Sequence, residues 1–302
     1  MNKIYNLLVD LVKDLLTIFC CPDDRADLIH EDNYFVCQSC KKGYKIDGKI
    51  IDFRPANKLK LKDSNVIEKD YKSYYQSLNG KSESNKKSFG IITGSISPGL
   101  VKEIILYIKK KIHSSSIVCD VGAGTGDYSV KLAEFCKFLF HCDLDFNGIK
   151  IALQNSNKRN LDNVFFILSD YFFLPFKDEV FNVVYSIDVV ERGLEHDQLL
   201  LKQISRIARH DGYCLFDCHA KERAKLTHTI PKTIKQYSKE EIIQLAKSCS
   251  LEPLEIKGAG YLPQVKTWSS STYNILNPMA KLTRIPSARW LLINKPKVQN
   301  RL

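Results

Sequence analysis

From Pro98 onward the apolar positions switch repeatedly between two spacings. Segments 116–121, 138–143 and 164–168 are short and almost continuously apolar, as strands buried on both faces are. Segments 98–111, 127–137 and 146–158 carry their apolar residues at helical spacing instead. The order continues with strand 181–187, helix 197–209 and strand 213–218. Ser238 followed by Glu241 makes a capping box for a helix ending near Ser250. Strands near 252–258 and 288–294 complete the series. Such alternation implies an α/β fold, a mostly parallel, doubly wound sheet with helices on both faces.

The first 97 residues follow a different pattern. Ile4, Leu7, Leu8, Leu11, Val12, Leu15 and Leu16 keep helical spacing, but Asp10, Lys13 and Asp14 interrupt the apolar run. That predicts an amphipathic docking helix over 1–19 rather than a signal peptide or a membrane span. Residues 20–56 read as a small β module, with Asp47-Gly48 between alternating apolar residues as its hairpin turn. Residues 57–97 are rich in Lys, Ser and Asn around a Tyr71–Tyr75 cluster and read as a linker with a short helix. The main domain then spans 98–302, with 261–287 a Trp-, Tyr-, Ser- and Pro-containing insertion before the last strand.

Charge sharpens this division. The net charge is +11. Residues 112–199 hold 7 basic and 13 acidic side chains, whereas 56–111 hold 12 and 5, and 200–302 hold 18 and 7. The basic excess therefore lies outside the central strands, where it suits phosphates or an anionic membrane surface, or a broad Lys bias. Ten cysteines would suggest a disulfide framework in a small secreted chain. Here most fall in predicted strands and helices, as buried thiols do in a reducing compartment, and the expected location is the cytoplasm. No window is long and apolar enough to span a bilayer.

The chemistry centres on Asp120-Val121-Gly122-Ala123-Gly124-Thr125-Gly126, where a predicted strand ends in alternating glycines. Bare backbone there lets a ligand approach closely. Asp127 stands where the dinucleotide fingerprint needs its last glycine, which disfavours a pyrophosphate ligand. Asp143 ends the next strand, followed by Leu144, and an ionised carboxylate there can accept two ribose hydroxyls. Ser169-Asp170-Tyr171, Leu174-Pro175-Phe176 and the strand ending at Ser186 follow in order. These motifs resemble those of class I S-adenosylmethionine-dependent methyltransferases, of the ubiquinone/menaquinone-methyltransferase-like kind. The resemblance implies a seven-stranded Rossmann-like sheet whose last strand is antiparallel. It also implies a cofactor site of Asp120, Gly122, Ala123, Gly124, Gly126, Asp143, Leu144, Asp170, Tyr171 and Ser186, with Asp170 at the adenine amino group and Tyr171 beside the ring. The 57–97 segment would be a lid over cofactor or substrate.

Cys21-Pro22, Cys37-Gln38-Ser39-Cys40 and the hairpin after them resemble a small zinc-ribbon-like family whose free-standing members activate tRNA and protein methyltransferases. The family's Cys-Pro-x-Cys becomes Cys-Pro-Asp-Asp here, so Cys21, Cys37 and Cys40 remain with Asp24 or the adjacent Cys20 as the fourth zinc ligand. For catalysis, the family's Glu-His after the fourth strand reads Glu191-Arg192, which removes a neutral base. His196 and His219 are the remaining candidate bases. A small-molecule or metabolite acceptor fits the aromatic insertion. A second reading is an RNA methyltransferase using the ribbon, against which stand the missing ligand and the lack of a base-stacking motif. A third is a non-catalytic adaptor, which the complete glycine turn and both acids disfavour.

Overall fold

The computed structural model describes residues 15–54, 98–190, 197–223, 235–261, 270–282 and 286–297. Four short strands come first: β1 (Leu28–Glu31), β2 (Tyr34–Cys37), β3 (Gly43–Asp47) and β4 (Ile50–Asp52). Then follow α1 (Pro98–Lys109), β5 (Ile117–Val121), α2 (Ser129–Leu132), β6 (Phe138–Asp143), α3 (Phe146–Lys158), β7 (Val164–Leu168) and β8 (Phe181–Ser186). The chain continues through α4 (Asp197–Ile207), β9 (Ala208–Ala220), β10 (Gln236–Tyr237), α5 (Lys239–Ser248), β11 (Leu251–Ala259), α6 (Ser270–Leu282) and β12 (Arg289–Pro296).

These strands form one continuous sheet in the order β1-β2-β3-β4-β7-β6-β5-β8-β9-β12-β11, with β10 added beside β9. It has 12 strands, not the expected seven. The run from β7 to β11 supplies seven of them, parallel except for β12. The excess comes from β10 and from the first four strands, because β4 pairs in parallel with β7 through Ile51 opposite Ile167. Every residue of β7 is buried, so an open edge there would expose an apolar, unpaired strand, and β4 covers it.

Aromatic packing reinforces that junction. The Phe19 ring lies 5.0 Å from Phe53, 5.8 Å from Phe140 and 5.5 Å from Phe176, so residues of the first 54 and of the main sheet share one apolar core. The Asp47-Gly48 turn forms as expected, with Asp47 opposite Ile50 and Gly48 at φ 59°. The Ser238 capping box is present, and Asp145 caps α3 by accepting from the Asn147 amide. The helix expected over 127–137 is shorter. After α2 the chain tightens into a 3₁₀ turn at Ala133–Phe135, and Cys136 is already extended. Lys137 donates to the Ser116 carbonyl, so the chain must leave the helix early to enter β6. Positions 1–14 of the docking helix and the whole 57–97 linker and lid lie outside the described residues. Of the 261–287 insertion, α6 is described, with Tyr273 packed on Gly99 of α1.

Candidate functional site

β5 sits between β6 and β8, so the strand order runs in opposite directions on its two sides. A crevice at the carboxyl ends of the strands opens at such a switch point. The glycine turn after β5 lies there. Gly122, Gly124 and Gly126 all have positive φ, at 75°, 55° and 83°. Their surroundings differ. A Cβ on Gly122 would lie 2.5 Å from Val189, and one on Gly126 would lie 2.9 Å from Ala152. A Cβ on Gly124 would meet no atom within 4 Å, so this residue faces open space.

Asp143 closes the turn from β6. Its Oδ2 accepts the Gly124 amide at 2.7 Å, and its Oδ1 accepts the Asp145 amide at 2.8 Å. Burial pushes its carboxyl up, and these amides pull it back toward the charged form. Beneath the turn His141 bonds Ser129 Oγ at 2.8 Å, and burial pushes its imidazole down to about 3. Asp120 is buried below the turn beside the Tyr185 hydroxyl, and desolvation holds its carboxyl well above the usual range. Its Oδ2 has no hydrogen-bond partner among the described residues. Ser186 donates to the Val121 carbonyl at 2.8 Å and ties β8 to β5. Ala123 and Leu144 are half-buried on the two loops that meet at Asp143.

Asp170 lies just beyond β7, which is parallel to β6. Its Oδ1 accepts the Phe172 amide at 2.9 Å, while the buried Oδ2 and the neighbouring Ser169 Oγ have no hydrogen-bond partner among the described residues. Burial pushes its carboxyl up to about 7. A buried acceptor left open in this way fits a ligand donor. The Tyr171 ring packs at 4.3 Å against Phe172. Gly124, Asp143 and Asp170 therefore offer open backbone, an anchored carboxylate and an unfilled acceptor, which suits a nucleoside with hydroxyl and amino donors.

A second cluster lies at the ends of β8, β9 and β12, and most of it was missed in the sequence. Buried Arg289 pairs with fully buried Asp217 and, at 3.0 Å, with Asp188. The Asp188 amide donates to Asp217 at 2.7 Å, which holds Asp188 at φ 64°. His219 Nε2 stands 3.9 Å from Asp188 and 3.5 Å from Arg289 Nη1. The buried Tyr128 hydroxyl, close enough to feel Asp217, Arg289 and Asp188, makes no hydrogen bond among the described residues. An acid inside the apolar run Cys214–Cys218 was the signal for Asp217; nothing in the pattern marked Arg289 as its partner. His196 and Arg192 lie outside the described residues.

At the other end of the sheet Cys21, Asp24, Cys37 and Cys40 converge, with one ligand atom of each within 4.8 Å of the others. Cys21 Sγ lies 3.7 Å from Cys40 Sγ, and Cys37 Sγ lies 3.4 Å from Asp24 Oδ1. Burial pushes the Cys21 thiol up to about 12, while the Ala26 amide holds Asp24 well below the usual carboxylate range. Three sulfurs and one oxygen suit a tetrahedral zinc ion. Cys20 is buried outside this group, beside the strand-like bridge from Phe19 to Phe176. None of the ten cysteines is joined in a disulfide.

Comparison with known proteins bears on the family and the fold. Over 111 residues the chain is 32% identical to the ubiquinone/menaquinone biosynthesis C-methyltransferase UbiE of Blochmanniella floridana, covering 35% of this chain and 43% of that protein. Over 55 residues it is 34% identical to a cobalt-precorrin-6B C(15)-methyltransferase of Methanocaldococcus jannaschii, covering 18% and 30%. The chain thus spans less than half the length of either curated relative. In fold it is similar to a chain of the Haloferax volcanii complex between a methyltransferase activator and a methyltransferase. The TM-score is 0.52 at 16% identity, over 66% of this chain and 89% of that one. A family model described as a methyltransferase domain matches residues 112–277, from the entrance to β5 into α6 and more than half of the chain, and the chain belongs to that family.

Proposed function

We propose that this protein transfers a methyl group from S-adenosylmethionine to a small-molecule acceptor. The observation that carries the reading is the cradle: Gly124 with an open face, Asp143 anchored beside it, and Asp170 with an unfilled acceptor oxygen. The bound cofactor supplies an activated methyl group on a sulfonium. Asp143 would accept the ribose hydroxyls and Asp170 the adenine amino group, with Tyr171 beside the ring. Gly122 and Gly126 hold the turn against Val189 and Ala152 and leave Gly124 bare. With the methyl already activated, alignment and exclusion of water supply much of the rate.

The acceptor side of the reading rests on the second cluster. His219 and Asp188 keep side-chain surface exposed, at 20% and 15%, whereas Arg289 and Asp217 are buried. His219 would take a proton from an oxygen or nitrogen acceptor, with Asp188 beside it to stabilise the imidazolium. Arg289 and Asp217 act through Asp188 as positioning residues. The similarity to two C-methyltransferases supports a small-molecule acceptor. We also propose that Cys21, Asp24, Cys37 and Cys40 hold a structural zinc ion that braces the first four strands.

Titration calorimetry tests the cofactor reading. S-adenosylmethionine should bind the wild type, and Asp143→Ala and Asp170→Asn should each weaken it at least about tenfold, or about 1.4 kcal/mol. Binding of NAD in place of S-adenosylmethionine would overturn it.

A further inference from the structure

The helix α6 turns its larger apolar side chains away from the protein. Tyr273, Asn277 and Ala280 are buried, and Tyr273 and Asn277 meet Glu103 of α1 at 3.2 and 3.3 Å. On the opposite side Ile275, Met279 and Leu282 are 67%, 59% and 85% exposed. At 3.6 residues per turn these three fall within an arc of about 60°, so they form one stripe. Leu106 of α1, 53% exposed, lines the groove that Pro278 and Asn277 of α6 also line. An ordinary surface helix buries its apolar arc and exposes its polar one. Here the inward face is Tyr, Asn and Ala, while Ile, Met and Leu face outward.

The charge beside this stripe is mainly basic. α6 contains Lys281 and no acid. α1 ends at Lys109 and is followed by Lys110 and Lys111. In the groove between the helices Lys110 and Lys257 lie 5.5 and 5.8 Å from the Tyr107 ring centroid, and the groove's carboxylate, Glu103, is already paired with Lys257 at 3.0 Å. An apolar ridge with basic flanks is complementary to an anionic bilayer surface. A second copy of the chain, with a net charge of +11, would be repelled. A stable protein interface also takes about 20–30 residues a side, against the few of this ridge. No described helix is long and apolar enough to cross a membrane, so the contact would be peripheral.

We propose that α6 docks on an anionic lipid surface. Ile275, Met279, Leu282 and Leu106 enter the boundary between headgroups and acyl chains, and Lys110 and Lys281 reach the lipid phosphates. The proposal does not depend on the nature of the methyl acceptor.

Vesicle flotation of the full chain tests it, with vesicles of phosphatidylcholine alone and of phosphatidylcholine mixed with phosphatidylglycerol. The wild type should float with the anionic vesicles, and added salt should weaken this. Ile275→Asp/Met279→Asp should cut the bound-to-free ratio at least about tenfold. Both positions are exposed, so circular dichroism and S-adenosylmethionine binding should stay as in the wild type, which separates this test from that of the cofactor site. Lys110→Gln/Lys281→Gln should remove most of the preference for anionic vesicles. Failure of the wild type to float would overturn the proposal, as would equal flotation of the aspartate variant. A wild-type dimer that the aspartate variant dissolves would instead assign the stripe to a second copy.

Discussion

Replacing the three turn glycines one at a time by alanine separates a ligand-facing residue from two packing residues. Each has positive φ, where a Cβ costs about 1–2 kcal/mol. At Gly124 that is the whole cost, because the new methyl meets nothing within 4 Å. At Gly122 the methyl would lie 2.5 Å from the stiff, β-branched Val189, and at Gly126 it would lie 2.9 Å from Ala152 and 3.0 Å from Val130. Overpacking adds about 1–3 kcal/mol, for a total of about 2–5 kcal/mol at these two sites. Urea denaturation should therefore rank Gly124→Ala as the mildest of the three. Calorimetry on the folded proteins should reverse the order of interest: Gly124→Ala loses at least about tenfold in S-adenosylmethionine affinity despite its small stability cost. Wild-type affinity in Gly124→Ala would refute the placement of the ligand against that residue. A stability loss at Gly124 equal to that at Gly126 would refute the reading of open space.

The remaining predictions concern charge and metal. Ionised Asp170 is the stronger acceptor for an amino donor, and burial pushes its carboxyl up to about 7, so S-adenosylmethionine affinity should rise with pH up to and just past that value. Asp170→Asn should flatten the profile. The same raised carboxyl makes the ligand-free protein lose stability as pH climbs from about 3.9, the unfolded value, to about 7, because the native state then holds the extra proton. Arg289→Met removes the cation from buried Asp217 and half-buried Asp188 and should cost about 3–5 kcal/mol in urea denaturation, with partial recovery in Arg289→Met/Asp217→Asn. Metal analysis of protein prepared without added zinc or chelator should find close to one zinc per chain, lost in Cys37→Ser; a value near zero in a fully folded wild type would mean that packing alone holds the first four strands.

Local pattern in the sequence determined the alternation of strands and helices, the Asp47-Gly48 turn and the caps at Asp145 and Ser238. Each depends on residues close along the chain. The order of the glycines with Asp143 and Asp170 was legible for the same reason, since each acid ends or follows its own strand. Tertiary structure decided what depends on distant segments. It joined the first four strands to β7, because a buried apolar edge needs a partner and β4 supplied one. It buried Asp120 beneath the turn and bonded Ser186 to the Val121 carbonyl, which no spacing rule foretells. It brought Arg289, over 70 residues further on, between Asp217 and Asp188, because antiparallel pairing of β12 with β9 sets Arg289 opposite His219. It also decided which face of α6 is buried. Spacing along a helix reports that an apolar stripe exists, and only the packing of α1 against Tyr273 and Asn277 directs that stripe toward solvent.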